Sequence, residues 1–127
     1  MTNEEMKELD AFVKSKERNT LCIDFDGTIC QKQSYGDGSI WQEPQAGAKE
    51  IINKLAKHYE IVILTTRANG EIMGDVDQKI ETVGNWLKKH GILYDRITAI
   101  KPMAQAYIDD RGLRFTTWQD MSNYFLQ

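Results

Sequence analysis

Short apolar runs alternate with helix-spaced amphipathic stretches along this chain. Residues 21 to 25 and 61 to 64 are too short for helices and rich in branched apolar side chains, so they predict buried strands. Between them, Pro44 can open a helix at its first position, and Ala48, Ile51, Ile52, Leu55 and Ala56 keep helical spacing. A second helix starts at about Asp75, a capping residue type. It turns Val76, Ile80, Val83 and Leu87 inward and stops at His90-Gly91. Short strands are expected near 97 to 100 and 106 to 108, with another at Arg114 to Thr116. An amphipathic tail helix with Trp118, Met121, Tyr124 and Phe125 follows. At the other end, Thr2-Asn3-Glu4-Glu5 has the form of a capping box. Met6, Leu9, Phe12 and Val13 then mark one face of an extra N-terminal helix within residues 1 to 18, expected to serve packing. Strands alternating with helices predict an α/β fold: a doubly wound, Rossmann-like parallel sheet with helices on both faces.

Composition narrows the class. The chain has 127 residues, enough for one core, so residues 1 to 127 read as a single domain. No apolar run approaches the roughly 20 residues needed to span a bilayer, and the N-terminus is polar and acidic rather than a signal peptide. Cys22 and Cys30 do not make a disulfide scaffold and read as reduced thiols, which points to the cytoplasm. A net charge of -3 weighs against a broad nucleic-acid surface, though a terminus-processing enzyme would need only a small basic patch.

Candidate chemistry sits where the apolar runs end. Cys22-Ile23-Asp24-Phe25-Asp26-Gly27-Thr28 carries a strand straight into two carboxylates and a glycine turn. Asp24 and Asp26 are two residues apart, so on a strand they share a face. Crowded carboxylates repel, which suits a hard cation, with one acid free as nucleophile and the other as proton carrier. The run at 61 to 64 leads into Thr65-Thr66-Arg67, and Ala106-Tyr107-Ile108 leads into Asp109-Asp110-Arg111, with Lys101-Pro102 shortly before it. In a parallel sheet these strand ends converge, and ligands bind there.

The ordered set resembles the haloacid dehalogenase-like (HAD) phosphohydrolase superfamily over roughly residues 19 to 115. Its four motifs correspond here to Asp24 through Thr28, Thr65, Lys101, and the pair Asp109-Asp110. The resemblance implies a magnesium-dependent phosphomonoester hydrolase. Asp24 would attack phosphorus and form an aspartyl-phosphate, while Asp26 would protonate the leaving oxygen and then deprotonate water. Magnesium would contact Asp24, the Asp26 backbone carbonyl and the acidic pair, with Asp110 the expected direct ligand and Asp109 acting through water. Thr65 would donate a hydrogen bond to the phosphate, with Thr66 its competitor, and Lys101 would neutralise Asp24 and the phosphoryl oxygens. Gly27, Thr28, Thr66 and Arg67 are the candidate substrate contacts. Arg67 would reach a second anionic group or form an exposed salt bridge.

The family's usual cap domain has no room here. Thr28 to Ile61 holds a loop, Gln31 to Glu43, and one helix, while Arg67 to Lys101 holds a loop, a helix and a short strand. The chain therefore resembles a capless member, covered locally by that first loop and by Ala68 to Gly74. Tyr35 and Trp41 in the first loop would help cover the site, unless Trp41 closes the core instead. A bulky or macromolecular phosphorylated substrate, or an oligomer acting on a small one, is expected. Two other classes stand beside this one. The first is a nucleic-acid end phosphatase of the polynucleotide kinase type, whose Asp-Asp-Arg run is like Asp109 to Arg111. The second is a non-enzymatic phospho-aspartate signalling module, which the order of the acidic pairs and Lys101 disfavours.

Overall fold

The computed structural model describes residues 1–126; the side chains of 12–18 and 72–73 fall outside the described set. Four strands, β1 (Thr20–Asp24), β2 (Glu60–Leu64), β3 (Arg96–Thr98) and β4 (Ala106–Ile108), form one sheet in the order β3-β2-β1-β4. Every pairing is parallel, with Leu21 beside Ile61 and Ala106, and Ile63 beside Ile97. The helices are α1 (Asn3–Asn19), α2 (Ala48–Leu55), the short α3 (Gly70–Met73), α4 (Val76–Lys89) and α5 (Trp118–Phe125), and a 3-10 turn spans Thr66–Ala68. This is the doubly wound α/β class that the alternating pattern predicts. Among the described residues, no helix is long and apolar enough to cross a membrane.

Alternation along the central strands builds the core. Leu21, Ile23 and Phe25 of the first strand and its continuation join Ile61 and Ile63 on one face. There they meet Ile52 of α2 and Val83, Trp86 and Leu87 of α4. Thr20, Cys22 and Val62, which alternate with them, are buried too, so the opposite face is covered as well. A strand buried on both sides needs apolar residues without alternation, and β1 and β2 have them. Phe25 meets Trp86 edge to face at 5.2 Å between ring centres, and the indole N–H of Trp86 donates to the Gln42 carbonyl at 3.1 Å.

Local chemistry sets the element ends. The Asp75 side chain accepts from the Gln78 N–H and caps α4, and Gly91 turns left-handed (φ 70°) just past its C-terminus, both as expected. Thr2 accepts from the Glu5 N–H at 3.1 Å, half of the capping box. Pro44 does not open α2. It pairs with Cys30 in an isolated bridge, and the helix starts at Ala48, after Gly47 takes a left-handed turn (φ 83°). β3 lies slightly earlier than its expected position, at Arg96–Thr98.

Residues 114 to 116 form no strand, because β4 is the sheet edge and among the described residues nothing pairs beyond it. α5 forms where expected but buries none of its residues, and Trp118, Tyr124 and Phe125 are exposed. Met6 and Leu9 of α1 are exposed rather than packed, and the side chains of Phe12 and Val13 lie outside those described.

From β1 the chain winds through β2 to β3 at one edge, then places β4 on the other side of β1. The winding direction reverses between β1 and β4. The carboxyl ends of these two strands, where ligands bind in such sheets, carry Asp24 and Asp26 on one side and Asp109 and Asp110 on the other.

Candidate active site

The turn after β1 fixes both acids. The Phe25 carbonyl accepts from the N–H groups of Thr28, Ile29 and Cys30, and the Gly27 N–H donates to the Cys30 carbonyl at 2.8 Å. Gly27 has φ 85°, a left-handed conformation costly for a side chain, and a Cβ there would collide with the Asp110 carboxylate. The glycine thus lets Asp110 approach the β1 turn. Asp24, Asp26 and Asp110 line one cavity of about 430 Å³ with Lys32, Gln33, Ser34, Tyr35, Thr66 and Arg111.

Asp24 feels this crowding. Burial and then the nearby Asp110 carboxylate push its carboxyl up to about 6, against smaller opposing contributions from Thr28 and the Phe25 backbone. Thr28 Oγ1 donates to Asp24 Oδ2 at 3.3 Å, so this threonine orients the acid. Asp109 sits otherwise. Its Oδ1 accepts from the Arg111 and Gly112 N–H groups and closes the turn, while Asp110 faces the cavity.

Arg67 forms no exposed ion pair. It is 1 % exposed, and its guanidinium donates to both oxygens of Asp26, Nε at 2.8 Å and Nη2 at 3.0 Å. Its remaining nitrogen, Nη1, donates to the Gly38 carbonyl at 3.0 Å, and the Tyr35 ring lies over it at 4.8 Å. One buried cation therefore ties the proton-carrier candidate to the loop that follows β1.

The two threonines divide differently from expectation. Thr65 is buried, and its hydroxyl accepts from the Arg67 N–H at 3.1 Å, capping the 3-10 turn. Thr66 is the one that lines the cavity, its hydroxyl paired with that of Tyr35. The first hydroxyl serves as the turn's cap and the second lines the cavity. Lys101 is not brought to the carboxylates: its ammonium lies 4.3 Å from the centre of the Tyr107 ring and it does not line the cavity.

The loop Gln31 to Glu43 does cover the site, and it is held down. Gln33 Oε1 accepts from the Trp41 and Gln42 N–H groups and its Nε2 donates to the Ser39 carbonyl. Lys79 Nζ donates to the Asp37 carbonyl at 3.2 Å. Trp41 is 64 % exposed and does not close the core, which Trp86 does instead. The Cys30 thiol is buried and pushed up to about 11 by that burial, so it is no ready nucleophile. Sequence reasoning missed Lys32, Gln33, Ser34 and Arg111 as cavity residues, because their placement depends on how the loops fold over the sheet, and loop closure has no periodicity to read.

Fold and site together define a doubly wound α/β domain with a carboxylate-lined cavity at its switch point. No protein-family model, curated protein or solved structure matches the chain.

Proposed function

We propose that the protein is a magnesium-dependent phosphomonoester hydrolase with Asp24 as nucleophile and Asp26 as general acid and base. The observation that carries this reading is the crowding of Asp24 against Asp110 in a cavity at the reversal of strand order. Among the described residues, no group of three or more His, Cys, Asp and Glu side chains forms a ready metal cage. Two carboxylates suffice for magnesium, which keeps several waters and takes the rest of its oxygens from substrate phosphate. The raised proton affinity of Asp24 fits a pair short of one positive charge. Asp24 and Asp110 would hold the ion, which when bound neutralises charge on the carboxylates and the phosphoryl group.

The chain's own groups then divide the work. An Asp24 oxygen bonds to phosphorus as the ester P–O bond breaks, and Asp26, after a proton replaces one of its two Arg67 contacts, gives that proton to the departing alkoxide. Water next attacks phosphorus, Asp26 takes a proton from it, and the Asp24–phosphorus bond breaks to release phosphate. One hard displacement becomes two easier ones. Thr28 orients Asp24, Arg67 positions Asp26, and the paired Thr66 and Tyr35 hydroxyls would have one proton between them to give to a phosphoryl oxygen.

A phosphomonoester screen with and without magnesium tests the reading. Asp24→Asn should lower turnover by at least ~10³. Asp26→Asn should lower it by roughly 10²–10⁴, more with alkyl esters than with nitrophenyl phosphate, whose leaving group needs no proton. Phosphorylated oligonucleotides in the same screen separate a nucleic-acid end phosphatase from an enzyme for small esters. Full turnover by Asp24→Asn, or after exhaustive chelation, overturns the mechanism.

A further inference from the structure

The cavity is not uniformly acidic. Its carboxylates, Asp24, Asp26 and Asp110, share the space with two cationic side chains, Lys32 from the loop after β1 and Arg111 from the turn after β4. Among the described residues, neither cation has a carboxylate within ion-pair distance. Arg111 follows two aspartates directly, yet Asp109 takes the Arg111 backbone N–H while the guanidinium stays unpaired. Arg67, by contrast, is 1 % exposed and is held through all three of its nitrogens by Asp26 and Gly38. The cavity therefore offers two unneutralised cations besides a pair of carboxylates suited to a metal-bound phosphate. An ester carrying only its phosphate would leave them without an anionic partner.

We propose that Lys32 and Arg111 form a second anion subsite, and that the substrate is a small phosphomonoester bearing another anionic group, a carboxylate or a second phosphate, on its alcohol portion. This rests on the phosphatase reading of the same cavity. The volume of about 430 Å³ lies in the range of small-molecule sites. The polar tethers on the loop Gln31 to Glu43 keep Lys32 near its place before ligand arrives. A charge-assisted contact to an unpaired guanidinium or ammonium is the strong kind of hydrogen bond, and its strength here depends on salt because both groups touch solvent.

Glycerol 3-phosphate and 3-phosphoglycerate make a matched pair, differing only in a hydroxymethyl against a carboxylate. Their binding to the otherwise unaltered protein with calcium, which should occupy the carboxylate pair without supporting turnover, is measured by calorimetry and reads the subsite apart from the chemistry. The carboxylate ester should bind about tenfold tighter at low salt, and the preference should shrink as sodium chloride is raised. In Lys32→Gln/Arg111→Gln with calcium, the ratio of the two affinities should fall to near one, with the thermal midpoint unchanged. Equal affinities in the parent, a preference kept by the double variant, or no binding of either ester overturns the subsite. Failure of every ester to turn over in wild type, with the binding preference intact, overturns the phosphatase reading and leaves the anion subsite standing.

Discussion

Replacing Asp24 by Asn should stabilise the metal-free protein at neutral pH, although it removes the proposed nucleophile. In the folded chain the Asp24 carboxyl moves from its ordinary 3.8 to about 6. A folded value above the unfolded one means that the native state binds more protons between those pH values, so stability declines as pH rises through that window. Below about pH 4 the acid is protonated in both states and carries no penalty. Above about pH 6 it is ionised in both, and the full cost of holding a charge beside Asp110 falls on the native state. At 1.36 kcal/mol per pH unit, the shift corresponds to about 3 kcal/mol. Asp24 keeps some contact with solvent, and screening reduces this to ~1–2 kcal/mol. Asn is nearly the same shape and can still accept from Thr28, so little packing is lost.

Urea unfolding in chelator should therefore show Asp24→Asn more stable than wild type by ~1–2 kcal/mol at pH 7.5, with the difference vanishing near pH 4. Magnesium should narrow the gap at pH 7.5 by binding the wild-type pair preferentially. A variant less stable than wild type at pH 7.5, or a gain independent of pH, would refute the electrostatic account of the Asp24–Asp110 contact.

Other consequences follow from the same geometry. Arg67→Ala should cost ~3–5 kcal/mol, because it leaves a half-buried carboxylate without its partner and releases Gly38; a thermal midpoint within a degree or two of wild type would contradict this. Gly27→Ala should displace Asp110 and weaken magnesium affinity, read by calorimetry, well beyond the ~1 kcal/mol expected for the backbone strain alone. Calcium should bind the metal site without supporting turnover, since its larger and looser oxygen shell spoils the in-line geometry; equal rates with the two ions would count against a magnesium site. Phe25→Ala should lose ~3–5 kcal/mol in urea unfolding, because the ring is fully buried against Trp86.

What could be read from the chain was local in character. The strands at 61 to 64 and 106 to 108 and the cap at Asp75 follow from periodicity and end signals that lie within a few residues of one another. Asp24 and Asp26 were legible for the same reason, being two residues apart on a strand. Pro44 misled because a proline suits a helix start as well as a bridge on a loop, and its pairing with Cys30 is a contact across 14 positions. Thr65 and Thr66 could not be separated by their strand-end position; the 3-10 turn decided, by taking the first hydroxyl as its cap. The aromatic residues of the tail helix gave a helical period, but a period says nothing about whether a surface waits to receive it, and α5 buries none of its residues.

Arg67 is the residue whose role was least legible and whose consequences run furthest. Beside a threonine at a strand end, an arginine reads as a surface charge reaching for a ligand. Its burial depends on three segments distant in sequence meeting at one point: Asp26 from the β1 turn, Gly38 and Tyr35 from the covering loop, and the 3-10 turn that carries Arg67 itself. A buried cation needs its hydrogen bonds satisfied, and three of its nitrogens find acceptors here. The geometry is selective, because a lysine cannot bridge both oxygens of Asp26 and reach Gly38 as well. It also links two jobs that a cap domain would otherwise separate. The side chain that holds Asp26 also holds the loop over the cavity, so lifting the loop would loosen Asp26. Arg67 thus couples the position of Asp26 to that of the covering loop with no second domain involved.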